Sequence, residues 1–271
     1  MAAATDRRRA FRLLHDSGCF VLPNPWDLGS AKILAQLGFK ALATTSAGLA
    51  WSLGRADNDV PLAGVLAHLK TIANGVDVPV NADFEGGFAV EPAAVADNVS
   101  AAVATGIAGL SIEDSTGDPA APLFEFTLAV ERIRAARAAI AASGDDVLLT
   151  ARSEGFLVGR PDLAETIRRL SAFAEAGADC LYAPWLRTAD DVAAVVRAVA
   201  PRPVNVLASV GGFTVQQLAD LGVRRISVGG ALARSAWAGF FEAATEIAER
   251  GTFTAFARAT PSTDLNQRFA K

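Results

Sequence analysis

The chain has 271 residues, of which 51% are hydrophobic and 20% charged, and this composition excludes a disordered or low-complexity protein. The net charge of −4 gives no support for a nucleic-acid or an anionic-membrane partner. The two cysteines, Cys19 and Cys180, cannot build a disulfide framework. No apolar run approaches the ~18–20 residues of a membrane span, and arginines stand at positions 7–9, where a signal peptide would be apolar. We therefore expect a cytoplasmic protein.

Short apolar runs alternate with longer helical patterns along the chain, after an N-terminal helix predicted at about residues 6–16. The eight predicted strands lie at 19–22, 40–45, 78–83, 108–113, 147–151, 179–183, 203–207 and 225–228. The helices that follow them are predicted at 28–37, 62–74, 91–105, 128–142, 163–176, 189–199, 214–221 and 231–250. Strands that are apolar throughout are typical of a parallel sheet covered on both faces.

Eight strand-then-helix units predict an α/β fold, namely a single (β/α)8 TIM-type barrel with an added N-terminal helix. An open doubly wound sheet would need a glycine-rich turn after the first strand. The turn at 23–27 reads Pro-Asn-Pro-Trp-Asp and has no such pattern. We expect one domain over 1–271, with the barrel at about 19–250 and a C-terminal tail at 251–271.

Carboxylates cluster in the loops that follow the second, third and fourth strands, which is where barrels of this kind carry function. They are Asp57, Asp83, Glu85 and Glu113, and Arg152 follows the fifth strand. Neighbouring carboxylates repel one another unless a cation lies among them, and a divalent ion with oxygen ligands fits this need. We predict Mg²⁺, with Mn²⁺ as the alternative, and a small acid bound through Arg152.

Small polar residues after the second strand complete the predicted site. The turn at 46–48 offers a hydroxyl and backbone N–H groups to an anionic oxygen. The predicted substrate-binding residues are Trp26, Thr45, Ser46, Ala47, Gly48, Asp83, Arg152 and Asn205.

Each of these residues also has a structural interpretation, which the sequence leaves open. Asp27 and Asp114 could be helix N-caps. Asp83 and Glu85 point the same way only if the strand continues. Arg152 could serve as an internal ion-pair partner.

Aromatic residues leave a similar choice open. Trp26, Trp51 and Trp185 follow strands and could wall a pocket or pack between loops. Trp237 lies near Phe240 and Phe241 in the last helix, and this stripe fits either core or a subunit interface.

Several segments together resemble the phosphoenolpyruvate mutase/isocitrate lyase superfamily, in particular its phosphoenolpyruvate mutase-like branch. The segment 78–87, Val-Pro-Val-Asn-Ala-Asp-Phe-Glu-Gly-Gly, is similar to the family's Asp-x-Asp/Glu-x-Gly metal segment. Residues 44–48 are similar to its substrate-anchoring loop and residues 54–57 to its Gly-x-x-Asp motif. The ends of the fourth and fifth strands and the segment 227–234 match as well.

The resemblance implies a Mg²⁺-dependent enzyme that cleaves or forms C–C or P–C bonds next to a 2-oxo acid or its enolate. It implies Asp83 as the main metal ligand, with Glu85 and Glu113 holding metal-bound waters. Ser46 would grip the substrate with the N–H groups of Ala47 and Gly48. Arg152 would bind the other acidic end, and Asp57 would act near the reacting centre. It also implies a homo-oligomer, a dimer or tetramer, whose last barrel helix is exchanged between subunits.

The departures from the family pattern narrow the reaction. Residues 115–124, which follow the fourth strand, contain no cysteine, histidine or lysine, so isocitrate or methylisocitrate cleavage by the usual route is not expected. The sequence favours a lyase or hydrolase that cleaves a C–C bond beside the carbonyl of a small 2-oxo acid or dicarboxylate. The alternatives are a phosphonomutase or phosphonopyruvate hydrolase, and a non-catalytic protein that binds 2-oxo acids.

Overall fold

Eight parallel strands form a nearly closed barrel in the computed structural model, which describes residues 3–209 and 211–270. The strands are β1 (Phe20–Leu22), β2 (Leu42–Ala43), β3 (Val80–Asp83), β4 (Gly109–Glu113), β5 (Leu148–Arg152), β6 (Cys180–Tyr182), β7 (Val204–Leu207) and β8 (Arg225–Ser227). Their order around the barrel is β1-β8-β7-β6-β5-β4-β3-β2. The gap between β1 and β2 is bridged by the N–H of Ala43, which donates to the carbonyl of Pro23 at 3.0 Å. The predicted (β/α)8 fold is confirmed.

Helices follow the strands and cover the barrel from outside. They are α1 (Ala4–Leu14), α2 (Leu28–Gln36), α3 (Ser46–Ser52), α4 (Leu62–Gly75), α5 (Pro92–Val103), α6 (Phe126–Ser143), α7 (Leu163–Glu175), α8 (Ala189–Val199), α9 (Val215–Asp220), α10 (Ala231–Arg250) and α11 (Ser262–Phe269), with a 3-10 helix at Thr254–Arg258. Two of them lie where the sequence analysis placed no helix: α3 follows β2 directly, and α11 lies in the predicted tail. The division into a barrel at about 19–250 and a tail stays a prediction.

Glycines end several helices, as the sequence pattern suggests. Gly38 follows α2 with a φ of 90°, and Gly177 follows α7 with a φ of 105°. This left-handed conformation costs glycine little, because it has no Cβ. A Cβ at Gly177 would also lie 2.7 Å from the Arg137 side chain, so this turn has room only for glycine.

Helix α1 closes the amino end of the barrel. Phe11 is fully buried in a small apolar cluster with residues of β1, β2 and β5. A Cβ at Gly109, where β4 begins, would lie 2.7 Å from the Phe11 ring, so glycine at this position lets the ring enter. Arg8 fixes the helix by donating to the carbonyls of Ile107 at 3.0 Å and Val103 at 3.1 Å. Helix α1 therefore covers the amino end of the barrel.

The last long helix, α10, leaves most of its surface uncovered. Of its side chains only Ala233 and Glu246 are buried. Phe240 and Phe241 are 57% and 61% exposed, and they contact the ring of Trp237. The exchange of this helix between subunits stays a prediction. No helix in the described ranges has the length and apolar character needed to cross a bilayer.

Candidate active site

Three charged residues end neighbouring strands at the open mouth of the barrel. Asp83 ends β3, Glu113 ends β4 and Arg152 ends β5. The parallel register sets Glu113 directly beside Arg152, and Asp83 beside Ser111 of β4. The sheet itself thus brings together side chains that are far apart in the sequence.

The guanidinium of Arg152 binds three carboxylates. Its Nη1 lies 2.8 Å from Asp83, and its Nη2 lies 3.2 Å from Glu113. Its Nε donates to Glu154 at 2.9 Å, and Glu154 is only 1% exposed. Arg152 therefore is an internal ion-pair partner in this structure, one of the two interpretations that the sequence left open.

The second oxygen of Asp83 faces the start of α3. The N–H of Ser46 donates to Asp83 Oδ2 at 3.0 Å, and the N–H of Asp83 donates to the Thr44 hydroxyl at 2.9 Å. Thr45 caps α3 by accepting from the N–H of Gly48 at 3.3 Å. The segment 44–48 is therefore a strand end that runs straight into a helix. Of the two N–H groups that the sequence analysis assigned to substrate, those of Ala47 and Gly48, the Gly48 N–H is hydrogen-bonded within the protein, and so is the N–H of Ser46.

Asp57 and Glu85 lie near this centre, and the pKa of each is raised. Burial raises the pKa of Asp57, although a hydrogen bond from the Ser46 side chain opposes the shift. Burial, with repulsion from Asp83 and Asp57, raises the pKa of Glu85 to about 7. Burial also holds the pKa of Glu113 well above its usual range, against the attraction of Arg152. The mouth thus concentrates more negative charge than one guanidinium neutralises.

Glu85 does not continue the strand. Its φ of 48° turns the chain after β3, and its carbonyl accepts from the N–H of Glu113 at 3.0 Å. Arg132 holds the following residues by donating to the carbonyls of Gly86 and Ala89. Asp83 and Glu85 therefore do not share a face through strand alternation.

Two cavities meet at the ion-pair network. The first, of about 150 Å³, enters the barrel, and among the predicted site residues it is lined by Thr45, Ser46, Ala47, Asp57, Asp83, Arg152 and Asn205. The second, of about 490 Å³, lies under residues 115–117, and Glu85 and Glu113 line it. Residues 115–124 form a tight loop, in which Ser115 bridges to Leu123 and the N–H of Thr116 donates to Pro122.

Two of the predicted substrate-binding residues, Trp26 and Gly48, line neither cavity. Trp26 is half-buried behind Gly48, where a Cβ on the glycine would lie 2.8 Å from Trp26 Cβ. Gly48 itself is buried. Trp185 is 47% exposed and stacks with Arg187.

The two acids that the sequence left as helix caps differ. Asp27 is an N-cap, since its side chain accepts from the N–H of Ser30 at 2.6 Å. Asp114 caps no helix. It accepts from the N–H of Glu154 at 2.7 Å and pairs with Arg169 at 3.2 Å, so it joins the ends of β4 and β5 to α7.

Sequence reasoning gave no role to three residues that the structure places at the site. Glu154 binds Arg152. The ring of Tyr182 lies 5.1 Å from the Arg152 guanidinium, and burial raises the pKa of Tyr182 to about 12. Arg225, at the start of β8, lines the first cavity. The sequence did contain a signal for Arg225, because a charged residue within an otherwise apolar strand indicates a polar barrel interior.

The donor chemistry of the mouth fits a hard divalent cation. Asp83, Glu85 and Glu113 offer only carboxylate oxygens, and the pKa values of Glu85 and Glu113 are raised by burial and by repulsion from neighbouring carboxylates. Within the described residues, no three Asp, Glu, His or Cys side chains are close enough to hold a metal ion together. Oxygen donors of this kind suit Mg²⁺, which commonly takes one or two carboxylates and keeps several waters.

Known proteins show both the fold and its family. A candidate lyase/mutase of Burkholderia cenocepacia J2315 has a structure that matches with a TM-score of 0.96 and 47% identity, covering 99% of this chain and 98% of that one. Oxaloacetate acetylhydrolase, solved with the product oxalate, matches with a TM-score of 0.86 and 27% identity over 99% and 95% of the two chains. An uncharacterized protein of Mycobacterium tuberculosis (strain H37Rv) is 36% identical over 222 residues, 81% of each chain.

The family model described as phosphoenolpyruvate phosphomutase matches residues 11–248. The wider superfamily consists of lyases and mutases. The chain belongs to the phosphoenolpyruvate phosphomutase family, within the phosphoenolpyruvate mutase/isocitrate lyase superfamily.

Proposed function

We propose that the barrel mouth binds a small 2-oxo acid together with Mg²⁺ and cleaves the C–C bond beside its carbonyl, as a lyase or hydrolase. One observation carries the proposal: Asp83, Glu113 and Arg152 meet at the entrance of a polar cavity of about 150 Å³. A cavity of that volume can hold a molecule about the size of benzene. The likeness to oxaloacetate acetylhydrolase supports C–C cleavage of such an acid.

Asp83 would hold the ion directly, and Glu85 and Glu113 would hold its waters. When bound, the ion supplies Lewis-acid stabilisation of the negative charge that develops on the substrate's oxo oxygen. Mn²⁺ offers the same chemistry with the same oxygen ligands.

The protein's own groups would bind the acid and move its protons. Arg152 presents a fork suited to a carboxylate. Asp57 and Ser46 both line the first cavity, so Asp57 lies in position to take a proton from a hydroxyl group or water in the mouth. Its raised pKa makes it a stronger base than an ordinary aspartate.

The test removes the proposed direct ligand and follows metal binding and turnover separately. In Asp83→Ala we expect no Mg²⁺ binding by calorimetry and no cleavage of oxaloacetate. Asp97→Ala, which removes an exposed carboxylate on α5, serves as the matched control and should retain both. Wild-type turnover in Asp83→Ala would overturn the proposed metal role.

Phosphonate chemistry is the second reaction to test, because the matching family model is that of a phosphomutase. Phosphorus NMR of phosphonopyruvate incubated with the protein and Mg²⁺ distinguishes the two reactions. A new phosphorus signal from a rearranged phosphate ester or from released phosphate would show that the protein acts on the P–C bond, and this activity would then replace C–C cleavage as the proposed reaction.

A non-catalytic role is the third outcome to test, because residues 115–124 lack cysteine, histidine and lysine. A thermal-shift panel of 2-oxo acids with Mg²⁺, followed by a turnover assay of each hit, separates binding from catalysis. Binding without turnover across the whole panel would support a 2-oxo-acid sensor.

A further inference from the structure

A buried guanidinium without an acidic partner lies at the inner end of the first cavity. Arg225 is 2% exposed and lines this cavity. Its Nε donates to Asn205 at 2.9 Å, its Nη2 donates to Thr150 at 3.0 Å, and its Nη1 lies 3.5 Å from His15 Nε2. Across residues 3–209 and 211–270, no carboxylate stands within ion-pair distance of Arg225.

The contrast with Arg152 shows what Arg225 lacks. Arg152 is matched by three carboxylates, whereas the partners of Arg225 are an amide, a hydroxyl and an imidazole. Burial and the charge of Arg225 lower the pKa of His15 to about 3, so this imidazole is neutral at pH 7. A buried charge without a counter-charge is unfavourable, and an anion entering the cavity would relieve that cost.

The wall around Arg225 is polar, which is unusual for a barrel interior. Such interiors are generally filled by Val, Ile and Leu. Here Asn81, Ser111, Asn205 and Ser227 line the same cavity. Asn81 is 3% exposed, and among the described residues its Oδ1 has no hydrogen-bond partner. Buried polar atoms are nearly always satisfied, so this open acceptor points to a bound donor such as water, which shows that the cavity is polar and hydrated.

On the basis of the proposed function, we propose that Arg225 binds the distal carboxylate of a short 2-oxo dicarboxylate whose 2-oxo end lies at the mouth. This assigns the second acidic end of the substrate to Arg225 instead of Arg152. Arg152 is already bound to protein carboxylates, whereas Arg225 is the buried cation of the cavity that lacks one. The substrate class is therefore a dianion.

The test compares acids that differ by one carboxylate. The Mg²⁺-loaded protein is titrated with oxaloacetate against 2-oxobutanoate, and with 2-oxoglutarate against 2-oxopentanoate. We expect at least one dianion to bind about tenfold or more tightly than its monoanion, the usual effect of a charge-assisted hydrogen bond. In Arg225→Gln this preference should disappear, while the affinity for the monoanions changes little.

Arg224→Gln is the matched control, because Arg224 is the adjacent arginine and donates to the carbonyl of Gly18 outside the cavity. It should keep the preference. Equal affinities within both pairs for the wild-type protein would overturn the proposal, whether or not Arg225→Gln folds. An unchanged preference in a folded Arg225→Gln, judged by circular dichroism, would overturn it as well.

Separate measurements of binding and of turnover distinguish a failure of the Arg225 assignment from a failure of the proposed reaction. If no 2-oxo acid is cleaved but the dianion preference depends on Arg225, only the proposed reaction fails. If a 2-oxo acid is cleaved and bound without regard to its second carboxylate, only the assignment of Arg225 fails.

Discussion

Replacing Arg152 with methionine should destabilise the protein strongly, since the guanidinium pairs with three carboxylates in a buried setting. Arg152 and Glu113 are each 14% exposed, and Glu154 is 1% exposed. Breaking a buried ion pair by removing one partner typically costs about 3–5 kcal/mol, because an unpaired charge is left behind. For a chain of this size that corresponds to a melting temperature lower by roughly 10 °C.

The loss of stability in Arg152→Met should depend on pH, because Arg152 influences the pKa values of buried carboxyl groups. Arg152 lowers the pKa values of Glu113 and Glu154, which burial raises, so its removal should raise both further. A carboxyl group with a raised folded-state pKa destabilises the fold above that pKa and ceases to do so as the pH falls and the group takes up a proton. The deficit should therefore be larger at pH 8 than at pH 6.

Thermal unfolding with and without excess Mg²⁺ completes the assay. A divalent ion can neutralise the carboxylates that lost Arg152, so Mg²⁺ should raise the melting temperature of the variant more than that of the wild type. Arg168→Met, which removes an exposed arginine paired with Glu165, is the control and should change little. An Arg152→Met protein as stable as the wild type at pH 8 would refute the reasoning.

Two further predictions concern the floor of the barrel and the loop after β2. Because the pKa of His15 is lowered to about 3, the unfolded state takes up a proton first, and stability should fall as the pH drops below about 6.5. Urea unfolding should show about 1–2 kcal/mol of this loss between pH 6.5 and 5, absent from His15→Gln. Gly48→Ala should cost about 1–3 kcal/mol, since its Cβ would lie 2.6 Å from Thr45 Cγ2. Gly239→Ala, which meets nothing within 4 Å on α10, should be neutral or stabilising; equal effects of the two glycine substitutions in urea unfolding would contradict the packing argument.

The fold could be predicted because its signals are local and repeated. Apolar runs give the strands, and glycines such as Gly38 and Gly177 mark where helices end. The position of Asp83, Glu113 and Arg152 follows from the fold, since parallel strands present their carboxyl ends at one mouth. Helix α3 was missed because its seven residues are too few for a helical period to appear in the sequence.

What the sequence could not supply is the direction of side chains beyond a strand end. Glu85 stands two residues after Asp83, yet its φ of 48° breaks the alternation on which the expectation of a shared face rested. Glu154 follows β5 and turns inward to Arg152, although nothing in the spacing distinguishes it from a solvated loop acid. Such contacts depend on local turns and long-range packing together.

The charge balance at the mouth links the proposed binding of Mg²⁺ to the proposed binding of substrate. Arg152 and Ser46 were both expected to bind substrate, yet in this structure the Arg152 guanidinium and the Ser46 N–H both bind Asp83. These two groups can leave Asp83 for substrate only if another cation neutralises the Asp83 carboxylate. The proposed Mg²⁺ would do so, because a direct carboxylate ligand shares its charge with the ion. Metal binding and substrate binding should therefore be coupled, and chelation of the metal should weaken the binding of 2-oxo acids, including in variants that no longer turn them over.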